Sequence, residues 1–197
     1  HKSYGKEKVL HDVNIHINSG EIVTVVGSSG SGKTTFLRLV SGLELPDSGR
    51  IIMKENEVNS SSAFIPPEKR NCSLVFQDYA LFPNMSMINN IYFGRGSKEN
   101  KEKVEDLIKI TNIENILDKF PHECSGGEQQ RVALVRSMAI QPELILMDEP
   151  LSNLDYHLKS KISTLICEII KKFKTTAVIV THDIMDAMKI SDRIIVF

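Results

Sequence analysis

Residues Gly27 to Thr34 read GSSGSGKT and fit the spacing G-x-x-x-x-G-K-[ST], between a short apolar run, EIVTVV, and a run with helical spacing. At that spacing the chemistry is specific. Glycines let successive backbone amides wrap the β- and γ-phosphates of a nucleotide, Lys33 neutralises their charge, and the Thr34 hydroxyl ligates Mg²⁺. The stretch assigned to nucleotide binding comprises Gly27, Ser28, Ser29, Gly30, Ser31, Gly32, Lys33, Thr34 and the neighbouring Thr35. A Gly/Ser turn with an exposed lysine is the plainer alternative, and the strand-then-helix context argues against it.

LILMDEP, Leu144 to Pro150, sets two carboxylates at the end of an apolar strand. At the carboxyl edge of a parallel sheet they face the phosphate loop. Asp148 is suited to hold Mg²⁺ through its water shell, and Glu149 to orient an attacking water or take its proton. CSGGEQQR, Cys124 to Arg131, reads as a helix start, whose free N–H groups and positive dipole end also suit an anion. One chain then carries two phosphate-binding features, and the second needs a reason.

Lys and Arg number 24, and Asp and Glu 25, in 197 residues. The formal net charge of −1 gives no electrostatic ground for nucleic acid or a polyanionic surface as partner. The longest apolar runs, LILM and AVIV, are of strand length, so membrane contact has to pass through a partner protein. Cys72, Cys124 and Cys167 are odd in number, far apart and without metal-ligand spacing, which reads as reduced thiols of a cytosolic compartment. No secretory signal precedes HKSYGKEKVL. His1, His11, His16, His122 and His157 lack any partner pattern and read as surface or core residues.

The elements that must position these groups follow from periodicity. EIVTVV is β-branched and apolar on both faces, as a buried strand should be, and GRIIM, CSLVF, ELILM, TTAVIVTH and DRIIVF read as further strands. A helix follows the phosphate loop, with Phe36, Leu37 and Val40 apolar, and ends at the turn signal LPDSG. From about Asp78 to Ile140 the pattern is helical, with Val104, Leu107 and Ile108 in one run and Val132, Val135, Met138 and Ala139 in another. HLKSKISTLICEIIKKF is amphipathic, with Leu158, Ile162, Leu165, Ile166 and Ile169 on one face. Strands alternating with helices predict an α/β fold with a mainly parallel sheet covered on both faces.

The phosphate loop, CSGGEQQRVALVRSMA, ILMDEP, SNLD and VTHD, in that order, resemble the nucleotide-binding subunit of ATP-binding cassette transporters over essentially the whole chain. The resemblance implies a P-loop NTPase with a RecA-like core, an antiparallel β subdomain and an inserted helical subdomain. Residues 1–77 and 141–197 would form the core with its β subdomain, and 78–140 the helical subdomain. It further implies that Tyr4 stacks on adenine, that Gln77 reaches the Mg²⁺ and attacking water, and that His182 contacts the γ-phosphate. Asp155, in SNLD, matches the loop that crosses to the other subunit, and Asn153 stands where the family usually has a small residue, a change of packing rather than chemistry. A strand ahead of Tyr4 and further elements after Phe197 are also implied.

In the family the helix start contacts a nucleotide bound by the opposite subunit, so the resemblance assigns Ser125, Gly126, Gly127 and Glu128 to the partner's site. Two copies head to tail would sandwich two ATP molecules. The usual sequence there is Leu-Ser-Gly-Gly-Gln. Cys124 for Leu exchanges one apolar side chain for a smaller one, and Glu128 for Gln brings a negative charge that would repel phosphate if it pointed that way.

The segment PPEKRNCSLVFQDYALFPNMSMINNIYFG resembles the importer subgroup for ferric iron, polyamine, sugar and sulfate uptake, in which the subunit works with membrane permeases and a solute-binding protein. Tyr79, Leu81, Phe82, Met85 and Met87 would line the groove for a permease helix, or pack internally. The implied function is ATP-driven import with ferric iron slightly ahead as cargo, at the cytoplasmic face of the membrane. A DNA-maintenance or ribosome-associated cassette is the alternative, weakened by the absence of a long heptad insertion and of a second cassette with a charged linker.

Overall fold

The computed structural model describes residues 1–60, 62–94, 97–152 and 154–197. In chain order its elements are β1 (Lys2–Tyr4), β2 (Glu7–Leu10), β3 (Ile22–Val26), α1 (Lys33–Ser41), β4 (Ile51–Met53), β5 (Asn56–Asn59), β6 (Cys72–Val75), α2 (Met87–Ile91), α3 (Lys101–Thr111), α4 (Gly126–Ala139), β7 (Leu144–Asp148), α5 (Tyr156–Phe173), β8 (Thr176–Thr181), α6 (Ile184–Ile190) and β9 (Arg193–Val196).

Five strands form one parallel sheet in the order β6-β7-β8-β3-β9. The two-residue period of the strands divides their side chains between two apolar layers. Leu146, Val178, Val180 and Val25 meet Leu37, Phe36 and Val40 of α1 on one face. Ile145, Met147, Ala177 and Ile179 meet Val132 and Val135 of α4 and Ile162 and Ile166 of α5 on the other. Both faces are thereby covered, as the apolar runs require.

The second layer does not stop at the sheet. Leu107 and Ile108 of α3, Met87 and Ile91 of α2, and Met138 of α4 belong to the same buried cluster as Ile145 and Met147. The helical stretch 78–140 therefore shares its core with the sheet. α3 is shorter than the periodic run that predicts it: Asn112 takes a left-handed φ of 50° and its N–H turns back to the Ile108 and Lys109 carbonyls.

GRIIM does not join the parallel sheet. β4 pairs antiparallel with β5, and β1 with β2, as two separate hairpins. β1, β2, β5 and α6 escape the periodicity reading because each is short and carries polar residues inside it. Arg70 ties this region to α1, donating to the Leu39 and Val40 carbonyls at the helix end and to Val58 and Ile65 O. It thus satisfies carbonyls that a helix terminus leaves without partners.

Because the core is continuous, a cavity in the helical stretch should be felt by the whole chain. Leu107→Ala is expected to cost about 2–5 kcal/mol and to shift one cooperative transition in urea unfolding. Two separated transitions would show that the helical stretch unfolds on its own.

Candidate active site

The parallel register decides which residues meet. Asp148 pairs with Val180, and Val26 with Thr181, so β7, β8 and β3 end level with one another. Since β8 lies between the other two, His182 leaves the sheet between Glu149 and the loop that begins at Gly27. β6 ends at Val75, opposite Met147, and places the exposed Gln77 just beyond the same edge.

The loop 27–34 closes on its own lysine. Lys33 is buried, and Nζ donates to Gly27 O at 2.8 Å, Ser28 O at 2.7 Å and Ser31 Oγ at 3.4 Å. Gly32 caps α1 with φ 93°, and a Cβ there would stand 2.8 Å from Leu10 Cδ2, so both backbone and space demand glycine. Ser28, Ser29, Gly30 and Thr34 are exposed, and Ser31 and Thr35 partly so.

On the face covered by α1, Thr34 Oγ1 donates to Asp148 Oδ1 at 3.2 Å. Burial raises the Asp148 pKa above the ordinary aspartate value and the Glu149 charge adds to this, while the Thr34 hydrogen bond and the positive charges of Arg38 and Lys33 oppose it. Glu149 has φ 46°, a left-handed conformation costly for a residue with a side chain. Its N–H donates to Val180 O at 2.9 Å, and its carbonyl accepts from Ser152 N and Oγ. Its Oε2 lies 2.9 Å from His182 Nδ1, the imidazole being 59% exposed.

The helix start expected to serve a second phosphate lies on different elements. Ser125 caps α4, and Glu128 folds back so that its carboxylate accepts from Ser125 N and Oγ, both at 2.7 Å. These bonds hold the Glu128 pKa below the ordinary glutamate value. The S-x-x-E spacing of a capping box is the sequence signal that foretells this arrangement. A Cβ on Gly127 would stand 2.5 Å from Leu158 Cδ2 of α5, whereas one on Gly126 meets nothing nearer than Tyr79 Oη at 3.9 Å. Gly127 is thus required by packing, and Gly126 leaves the exposed helix start bare. Asp155 caps α5 through Leu158 N, so the residue expected to cross to a partner starts the helix against which Gly127 packs. Asn153 lies outside the described residues.

Tyr4 is 44% exposed at the end of β1, with Lys2 Nζ 5.1 Å from its ring centroid. The segment after Gln77 corrects the expected groove in part. Tyr79 and Met87 are 8% and 0% exposed and belong to the core, while Leu81, Phe82 and Met85 are partly exposed. Phe82 packs against Phe93 at 4.3 Å between centroids, and Phe93 is 56% exposed. Sequence reading also passes over Gln130, which donates to Pro150 O, and Arg136, which holds the Tyr79 and Ala80 carbonyls.

The raised Asp148 pKa has a definite sign in stability. The folded chain keeps this proton where the unfolded chain has released it, so the ionisation penalty is absent at low pH and grows as pH rises through the raised value. Asp148→Asn, which keeps an acceptor for Thr34, should melt higher than the native chain at neutral pH. The gap should narrow near the ordinary aspartate value of about 3.9. Thermal melts across that range check it; a lower melting temperature at neutral pH contradicts it.

Comparison with known proteins agrees with this geometry. A model of the ABC transporter family matches residues 10–152. The spermidine/putrescine import ATP-binding protein PotA of Legionella pneumophila (strain Paris) is 41% identical over 202 residues, which cover 100% of this chain and 54% of the relative. The Fe(3+) ions import ATP-binding protein FbpC of Rhizobium etli is 43% identical over 200 residues, covering 99% and 56%. The chain spans about half the length of these relatives. A dimeric bacterial ABC transporter cassette superposes with TM-score 0.83 at 30% identity, covering 100% of this chain and 90% of that one. The cbiO1 structure from Clostridium perfringens gives 0.86 at 29%, covering 98% and 80%. Sheet, phosphate loop and paired carboxylates together place the chain in the ABC transporter family, as an ATP-binding cassette.

Proposed function

We propose that the chain binds and hydrolyses ATP, and that nucleotide-driven closure of two copies powers solute import through membrane subunits. The observation that carries this reading is the meeting, at one sheet edge, of the Thr34–Asp148 pair with the Glu149–His182 pair. Thr34 and Asp148 offer hard oxygen donors of the kind Mg²⁺ takes, and Mg²⁺ bound there would neutralise phosphate charge. Lys33, held among loop carbonyls, is placed to transfer its donors to phosphate oxygens.

In this reading Glu149 orients the attacking water and accepts its proton, His182 fixes the carboxylate and reaches the γ-phosphate, and Gln77 contacts Mg²⁺ and the water. Tyr4 stacks on adenine. Ser125, Gly126 and Gly127 engage a nucleotide held by the second copy, across a contact that includes Asp155. Glu128 serves them by capping the helix and keeps its charge turned to Ser125. Residues 1–77 and 141–197 act as the ATP-binding core and 78–140 as the arm carrying Ser125 to Glu128.

The two import ATP-binding relatives support permeases and a solute-binding protein as further partners, at the cytoplasmic membrane face. No described helix is long and apolar enough to cross a membrane, which fits attachment through other subunits. Between the cargoes those relatives name, ferric iron is placed slightly ahead of polyamine. Phe82 and Phe93 supply the apolar surface for a permease helix.

Lys33→Ala should remove nucleotide binding in calorimetry; undiminished ATP affinity would reject the phosphate-loop assignment. Glu149→Gln should lower phosphate release by about 10²–10⁴-fold while ATP still binds and a dimer accumulates in size-exclusion chromatography. Turnover at the native rate would exclude Glu149 as the base.

A further inference from the structure

From the flank of α4 two side chains reach the loops that carry this subunit's own reacting groups. Gln130 is 2% exposed and donates from Nε2 to the carbonyl of Pro150, the residue directly after Glu149. Arg136 donates to Tyr79 O at 2.8 Å and Ala80 O at 2.7 Å, just beyond Gln77, and its guanidinium lies 5.8 Å from the Phe82 ring centre.

Both anchored segments are conformationally costly. Glu149, Tyr79 and Ala80 have φ of 46°, 63° and 45°, a region that a residue with a side chain holds only when its surroundings impose it. The N-terminus of the same helix carries Ser125, Gly126 and Gly127, which the proposed function gives to the second copy's nucleotide. Gly127 and Gln130, three residues apart, share one face of α4, and Gly127 is pressed against Leu158 of α5. Among the described residues, Gln130 Oε1 and Arg131 Nε have no hydrogen-bond partner at this junction, so its polar capacity is not fully committed.

We propose that Gln130, with Arg136 behind it, is the positioning residue through which α4 conveys occupation of its N-terminus to Glu149 and Gln77 of the same subunit. Each subunit's hydrolytic groups are then set by the nucleotide its partner holds. The inference rests on the head-to-tail dimer proposed above. It assigns coupling between the two sites to a buried amide that touches neither nucleotide.

Gln130→Met keeps length and apolar packing and removes the donor. In the otherwise native chain it should lower kcat about 10- to 100-fold with KM for ATP little changed, and bring the Hill coefficient for ATP to one. Combined with Glu149→Gln it should still dimerise with ATP at the protein concentration that Glu149→Gln alone requires. Arg136→Lys, which keeps the charge and loses the fork, should show an intermediate loss; it provides the same readouts if Gln130→Met does not fold.

A variant with lower melting temperature but unchanged kcat and Hill coefficient makes Gln130 merely structural and overturns the proposal. So does a native Hill coefficient already at one, or loss of dimerisation in the double variant, which would make Gln130 a support of the interface. If Glu149→Gln alone forms no dimer with ATP, the dimer reading fails and the coupling falls with it.

Discussion

The hydrogen bond from Glu149 N to Val180 O carries the β7–β8 ladder one residue past the end of β7 while the chain turns into a left-handed conformation. Asp148 keeps the parity of Leu146 and so faces α1, where Thr34 waits. Glu149, released from the strand, reaches the imidazole that leaves the neighbouring strand β8. Two adjacent carboxylates, both half-buried, thereby acquire different surroundings, one against a hydroxyl and one beside a histidine. Without that turn, strand alternation would send them to opposite faces of the sheet.

The α4 helix is the second constraint. Val132, Ala133, Leu134, Val135, Met138 and Ala139 are all buried, so the helix is enclosed on most of its circumference rather than along one stripe. An enclosed helix moves with its neighbours or not at all. Its polar contacts at Gln130 and Arg136 tie it to two loops, at Pro150 and at Tyr79–Ala80, that sequence places far apart.

The phosphate loop, the carboxylates at the end of β7 and the long helices α4 and α5 are legible because their signals are spacing and period, which survive in a single sequence. Leu158 and Ile162 fall where the amphipathic run of α5 puts them. The groove is less legible: Tyr79 and Met87 have the same apolar character as Phe82, and only tertiary packing separates the buried pair from the partly exposed ring. Glu128 is foretold by its capping-box spacing, whereas its charge beside an expected phosphate suggests only repulsion. Gln130 and Arg136 offered no local signal, since their partners are main-chain carbonyls that any residue supplies. The hairpin strands β1 and β2 were too short and too charged to show a period.

Asp148 also sets a condition on the life of the molecule. A half-buried carboxylate at the end of β7, and a buried lysine among loop carbonyls, are the charges that the proposed function assigns to a nucleotide and its cation. A nucleotide–cation complex that binds only the folded chain adds RT ln(1 + [L]/Kd) to its stability. Under the proposed function, the resistance of the chain to unfolding and proteolysis rises with nucleotide concentration, so that the ligand protects the fold as well as entering the reaction.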